Sequence, residues 1–111
     1  MMGSTGAKSE VDLDGESFKA QYESTPSAVL VDVRTPPEFA LGTINGAINI
    51  DIFGDDFEIN ITQLNKTNVY FVFCRSGRRS RSALKLMQMA GLTAYDLAGG
   101  INAWPQHKPK Y

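Results

Sequence analysis

Two stretches of the chain are almost continuously apolar, and they form the centre of the predicted fold. Residues 28–33 (AVLVDV) and residues 68–73 (NVYFVF) are rich in β-branched and aromatic side chains. Such runs are typical of parallel strands that are covered on both faces. Because each run is followed by a segment with helical features, the pattern predicts strands that alternate with helices.

The helical segments are predicted from apolar spacing and from end signals. Residues 15–24 carry Phe18 and Tyr22 four positions apart, and residues 80–91 repeat apolar side chains with helical periodicity. In the second segment, Ser80 is predicted to cap the start and Gly91 the end. The residues expected to face the core there are Ala83, Leu86, Met87 and Ala90.

Shorter elements lie between these segments. Two prolines and Glu38 predict a short helix after the first apolar strand, and Gly42 is predicted to end it. Residues 54–64 form another candidate helix, for which we expect Ile59, Ile61 and Leu64 to face the core. Short strands are expected at 11–13, 44–50 and 93–97, and a terminal helix at 101–104. The order predicts an α/β fold with a mostly parallel sheet and helices on both faces.

Length and charge limit the possible functions. The chain has 111 residues, of which 42% are hydrophobic, and this length suits one core. We expect a single domain over residues 11–111 and a disordered arm over residues 1–10. The formal net charge of -1 gives no general attraction to nucleic acid or to an anionic membrane, and no apolar run reaches the roughly 20 residues of a membrane span. A cytoplasmic protein is expected.

The single cysteine is the main chemical signal. One cysteine forms neither an internal disulfide nor a C-x-x-C pair, and no metal or cofactor motif accompanies it. Cys74 follows the second apolar strand, and ligands in parallel sheets bind outside the carboxyl ends of strands. The loop after it contains Gly77, which permits a positive φ. This loop leads into the amino end of a predicted helix, where free backbone N–H groups can bind an anion.

Charge around Cys74 adds to this signal. Four arginines lie close in sequence: Arg75, Arg78, Arg79 and Arg81. A guanidinium favours a thiolate and binds an oxyanion through two hydrogen bonds. The histidine at position 107 is far in sequence from Cys74, so cysteine–histidine hydrolysis has little support. The residues therefore predict a thiol site that recruits a small anion.

Three motifs in order resemble the rhodanese family of sulfurtransferase domains. "VDVRTPPEFALGTINGAINI" is similar to the family's first signature, "VFCRSGRRS" to its active-site stretch, and "LAGGINAW" to its closing motif. The resemblance runs from about Val11 to Trp104. It implies a five-stranded parallel sheet flanked by helices.

The resemblance also implies persulfide chemistry. Cys74 would take sulfane sulfur from a small anionic donor such as thiosulfate, or from a protein donor, and pass it to cyanide or a thiol. Substrate-binding roles would fall on the loop residues Arg75, Ser76, Gly77, Arg78 and Arg79, with Asp32, Arg34 and Ser80 in support. Trp104 is expected to pack in the core and His107 to be solvated.

Two alternatives remain open from the sequence. In a sulfur-carrier or interaction module, Cys74 would be loaded and unloaded by partner proteins. A small phosphatase is less favoured, because phosphatases of related fold place five residues between cysteine and arginine, whereas four separate Cys74 from Arg79.

The chain departs from the family pattern at one turn. Residues 42–47 read GTINGA where the family usually has GHIPGA, which changes a histidine and a proline. We expect this difference to affect the local turn more than the chemistry. Arg34 is expected to pair with Asp32 or Glu38 and so to hold the loop near the site.

Overall fold

The computed structural model describes residues 11–105, so the predicted arm at 1–10 and His107 lie outside the described part. The strands are β1 (Asp12–Leu13), β2 (Ala28–Asp32), β3 (Ile48–Asn49), β4 (Val69–Phe73) and β5 (Thr93–Leu97). The helices are α1 (Gly15–Ser24), α2 (Pro36–Leu41), α3 (Phe57–Thr62) and α4 (Arg78–Met89), followed by a short 3-10 turn at Ile101–Ala103.

The five strands form one sheet in the order β1-β5-β4-β2-β3. Each neighbouring pair is parallel; in register, Asp12 lies beside Asp96 and Val31 beside Val72. The predicted α/β class and parallel sheet are confirmed. Because all strands run the same way, their carboxyl ends meet at one edge, and β4 brings Cys74 to its centre.

Side chains of β4 alternate between two apolar layers. Tyr70, Val72 and Cys74 face the layer that contains α3 and α4, whereas Phe71 and Phe73 face the layer that contains α1. Trp104 lies in the second layer, with its ring edge-on to Phe18 at 6.1 Å between centroids, so its expected packing role is confirmed. Both faces of the sheet are therefore covered.

Two local predictions were wrong. Ser80 does not cap α4; the helix begins at Arg78 after Gly77, which places Ser80 inside the first turn and fully buried. Ile59 does not face the core and is 59% exposed, while Phe57 and Ile61 are buried. The reason is that α3 begins at Phe57, and helical periodicity puts the residue two positions later on the opposite face.

In residues 11–105, no helix combines the length and apolar character that crossing a bilayer requires.

Candidate functional site

The sulfur of Cys74 lies beneath the loop that joins β4 to α4. The side chain is fully buried, on the same face of the sheet as Val72. Since α4 begins only four positions later, the first turn of the helix lies directly over the sulfur. The predicted strand, loop and helix are present, and they place a thiol at the amino end of a helix of twelve residues.

One backbone N–H group points at the sulfur. The amide of Gly77 donates to Cys74 Sγ at 3.0 Å, and Gly77 has φ 101°. A side chain at this position would be strained, and its Cβ would lie 3.2 Å from the backbone nitrogen of Gly99. The positive φ therefore favours glycine here, and the close approach of the neighbouring chain leaves little room for a side chain.

A buried polar chain lies behind the sulfur. The thiol of Cys74 donates to Ser80 Oγ at 3.4 Å, and the Ser80 hydroxyl lies 3.3 Å from the carbonyl oxygen of Gly77. The same hydroxyl makes a short hydrogen bond to Oδ1 of Asp96, which is fully buried at the end of β5. Ser80 was predicted as a supporting residue, and the structure gives it contacts to both the sulfur and a carboxyl group.

The Asp96 carboxyl is paired with a second carboxyl on β1. Burial raises the pKa of Asp96 to about 7; the hydrogen bond from Ser80 opposes this shift, and the adjacent Asp12 carboxyl adds to it. Arg81 contacts Asp12 at 3.5 Å and acts in the opposite direction. Within residues 11–105, no hydrogen-bond donor reaches Asp12 Oδ1 or Asp96 Oδ2, both of which are buried.

The Gly99–Gly100 turn packs against the backbone of the loop that follows Cys74 and supports it. The amide of Ile101 donates to the carbonyl oxygen of Cys74 at 2.8 Å. A Cβ on Gly100 would lie 1.9 Å from the carbonyl oxygen of Arg75, a distance that real atoms do not allow. The closing glycine pair therefore lets two backbone segments touch where any side chain would separate them.

Arg79 has an internal partner. Its two terminal nitrogens donate to the two carboxylate oxygens of Glu38 at 2.8 and 3.0 Å. The hydrogen bond from Arg79 lowers the pKa of Glu38 to about 2; burial opposes this shift, and hydrogen bonds from Thr35 reinforce it. The guanidinium also lies 5.7 Å from the ring centroid of Phe53. In this structure the guanidinium of Arg79, for which a substrate-binding role is predicted, binds the first turn of α2.

The residues of the first signature form a separate network. Asp32 accepts hydrogen bonds from the backbone amide and side chain of Arg34, at 2.8 to 3.1 Å, so Asp32 rather than Glu38 is the partner of Arg34. Arg34 also donates to the carbonyl oxygen of Gly42 at 2.7 Å. Thr43, which stands where the family usually has histidine, donates to Asp32 at 2.8 Å. The altered turn thus remains tied to the sheet.

A basic groove adjoins the loop on its outer side. It has a volume of about 440 Å³ and is lined by Ser76, Gly77, Arg78, Arg81, Ser82 and Lys85. The three cationic side chains recur on one face of α4, and Arg75 is exposed nearby in the loop. The lining contains no carboxylate, so the groove is positively charged where it borders the loop at Ser76 and Gly77.

Sequence reasoning missed Asp12, Asp96 and the bracing role of Gly100. Asp96 carried a usable signal, because it is a charged residue within an otherwise apolar strand (TAYDL). Asp12 carried none until its register beside Asp96 was known.

Comparison with known proteins identifies the family to which this chain is similar. The model of the rhodanese-like domain matches residues 14–107. A sulfurtransferase from Allochromatium vinosum is 35% identical to this chain over 97 residues. The matched region covers 86% of this chain and 89% of the relative. The thiosulfate sulfurtransferase GlpE of Ectopseudomonas mendocina is 35% identical over 88 residues, covering 78% of each chain. The crystal structure of a rhodanese-related protein from Thermoplasma volcanium has a TM-score of 0.73 at 27% identity and covers 86% of this chain and 90% of its own.

Proposed function

The chain belongs to the rhodanese-like domain family, and from this premise we propose that it is a sulfurtransferase in which Cys74 carries sulfane sulfur as a persulfide. The observation that carries the proposal is the position of Cys74 Sγ, 3.0 Å from the Gly77 amide under the first turn of α4. Backbone N–H groups and the helix dipole at such a position stabilise an anion. Both a thiolate and a persulfide are anions there.

The reaction consists of two displacements at sulfur. The Cys74 thiolate attacks the outer sulfur of thiosulfate; a new S–S bond forms, the S–S bond of thiosulfate breaks, and sulfite leaves with the electron pair. Cyanide or a thiolate then attacks the outer sulfur of the persulfide, and the electron pair of the broken bond returns to Cys74. The first step oxidises the Cys74 sulfur to the persulfide level while thiosulfate is reduced to sulfite, and the second step returns it to the thiolate, so no further oxidant is needed. Neither step needs a positioned general base, so the lack of a histidine among residues 11–105 is compatible with the proposal.

We assign two kinds of role to the loop and helix residues. The backbone of residues 75–79 would surround the transferred sulfur, while Arg78 and Lys85 in the basic groove would attract an anionic donor to the loop that follows Cys74. Arg79 would act indirectly, since its ion pair with Glu38 fixes the loop to α2. The same groove would bind a protein donor that presents an acidic or persulfide-bearing segment.

Intact mass after incubation with thiosulfate tests the proposal. The expected result is a gain of one sulfur atom, absent in Cys74→Ser and removed by cyanide. Because the chain has one cysteine, the gain needs no further mapping. If no sulfane donor produces a mass gain in the folded protein, Cys74 is not a persulfide carrier.

Two further measurements distinguish the alternatives. Loading by a cysteine desulfurase much faster than thiosulfate turnover would favour a carrier that exchanges sulfur with partner proteins. Hydrolysis of an aryl phosphate that is lost in Cys74→Ser would favour a phosphatase and contradict the sulfur-transfer proposal.

A further inference from the structure

The Ser80 hydroxyl has one hydrogen and three neighbours that could accept it. These are the Cys74 sulfur at 3.4 Å, which donates to Ser80 as a thiol and can accept once it is ionised, the Gly77 carbonyl oxygen at 3.3 Å, and Oδ1 of Asp96, which makes the shortest contact. A charged acceptor binds a hydroxyl hydrogen more strongly than a neutral one. When Asp96 is ionised, the hydrogen points to the carboxylate, and the sulfur receives no hydrogen bond from Ser80.

The state of Asp96 also changes the charge near the sulfur. The contacts from Sγ to Ser80 and from Ser80 to Asp96 place the carboxylate oxygen within about 6 Å of the sulfur, a range over which two like charges repel strongly in a protein interior. An ionised Asp96 therefore opposes a sulfur anion in two ways. A protonated Asp96 removes the repulsion and leaves the Ser80 hydrogen available to the sulfur.

The surroundings of Asp96 favour the protonated form. Its carboxyl lies beside that of Asp12 on the neighbouring strand, and the two buried oxygens without a donor belong one to each carboxyl group. A proton between two carboxyl groups satisfies both oxygens. Arg81, at 3.5 Å from Asp12, favours the remaining negative charge on the Asp12 side of the pair, whereas Asp96 is the carboxyl that contacts Ser80.

We propose that Asp12 and Asp96 form a proton-sharing positioning pair that makes the nucleophilicity of Cys74 sensitive to pH: protonated Asp96 supports the sulfur anion through Ser80, and ionised Asp96 opposes it. The pair consists of Asp12 from β1 and Asp96 from β5. The other charged and titratable groups that face it are Arg81 from α4 and Cys74 from the loop. The inference rests on the proposed function only in taking Cys74 as the reacting group.

Alkylation of Cys74 by iodoacetamide tests the pair without requiring sulfur transfer. The second-order rate is measured from about pH 5 to 9, a range that includes the ordinary ionisation of a thiol. Asp96→Asn imitates the protonated carboxyl, so the rate at about pH 8 is expected to rise about tenfold. Asp12→Asn removes the second carboxyl and lowers the pKa of Asp96. Because that pKa is about 7 in the unaltered chain, about half of the molecules carry a protonated Asp96 at pH 7, and the rate at this pH is expected to fall roughly fivefold.

The opposite signs distinguish this role from a structural one. The double variant is expected to return to the Asp96→Asn rate, because Asp12 acts only through Asp96. Asp55→Asn, which removes one exposed carboxylate, serves as the control and should leave the profile unchanged. Equal rates in the single variants, or changes in the same direction, would overturn the proposal.

Infrared spectroscopy of the unaltered chain gives a test that does not depend on the variants folding. Exposed carboxyl groups are ionised at about pH 6, so a carboxylic acid C=O band at that pH reports a buried protonated group. The band is expected at pH 6 and should fall as the pH rises through about 7, because burial raises the pKa of Asp96 to about 7. Absence of the band would refute the shared proton, whatever the result of the sulfur-transfer assay.

Discussion

Replacing Gly100 by alanine tests whether the closing glycine turn braces the loop that follows Cys74. A Cβ at this position would lie 1.9 Å from the Arg75 carbonyl oxygen and 2.6 Å from the Ser76 nitrogen. Carbon and carbonyl oxygen need roughly 3.3 Å, so one of the two segments must move by about 1.4 Å. Gly100 also has φ 79° and ψ -167°, a conformation that is almost restricted to glycine.

Gly42 provides a matched control. It has φ 152° and ψ 137°, and a Cβ there would meet no atom within 4 Å. Gly42→Ala is therefore expected to lower the free energy of unfolding by the backbone cost alone, about 1–3 kcal/mol. Gly100→Ala should lose about 1–3 kcal/mol more, because the added methyl group overpacks the contact.

The two variants should differ more in reactivity than in stability. A displacement of about 1 Å in a catalytic segment commonly costs about 100-fold in rate, so persulfide formation should fall by about that factor in Gly100→Ala and by little in Gly42→Ala. Urea denaturation measures the loss of stability. Mass spectrometry measures the loss of reactivity as the rate of sulfur incorporation. If the two variants match in both measurements, the turn does not brace the loop.

Three further predictions concern charge. Glu38→Gln should lower the free energy of unfolding by about 1 kcal/mol at pH 7. The difference between the variant and the unaltered chain should shrink as the pH falls from 4.5 towards the Glu38 pKa of about 2, where the ionised carboxylate is lost. A difference that stays constant with pH in urea denaturation would contradict this prediction. The pKa of Asp96 is about 7 in the folded chain and 3.8 in the unfolded chain, so the free energy of unfolding should fall as the pH rises between these values. Its slope against pH should become flatter in Asp96→Asn, and an unchanged slope would refute the raised pKa of Asp96. Arg78→Gln with Lys85→Gln should slow sulfur loading from thiosulfate at low salt but not at high salt, whereas Lys66→Gln should have no effect at either; a loss that persists at high salt would exclude simple attraction.

Local signals were sufficient to predict the main elements of the fold. The two apolar runs became the central strands β2 and β4, and residues 15–24 became α1. The phase of α3 was not predictable in the same way. A helix of six residues has too few apolar positions to fix which face is buried, so the assignment of Ile59 depended on knowing that the helix starts at Phe57.

The site was predictable only where its parts are adjacent in sequence. Cys74 and Gly77 lie in one short segment, and strand, glycine and helix signals together indicated an anion site there. The partner of Arg79 lies 41 positions away, and Ser80 and Asp96 are 16 positions apart. Such pairs form because parallel strands end at one edge of the sheet, and the sequence alone does not give their register.

The contact between Gly100 and the loop also has a consequence for synthesis. Gly100 follows Cys74 by 26 positions, and the strand with Asp96 lies between them. At about 5–20 residues per second, a ribosome adds these positions in roughly 1–5 s. During that interval the thiol segment exists without the turn that supports it or the strand that flanks it. The sulfur therefore gains its connection through Ser80 to Asp96 only after a later segment of the chain has been made, and the loop around the cysteine is completed by residues that are synthesised after it.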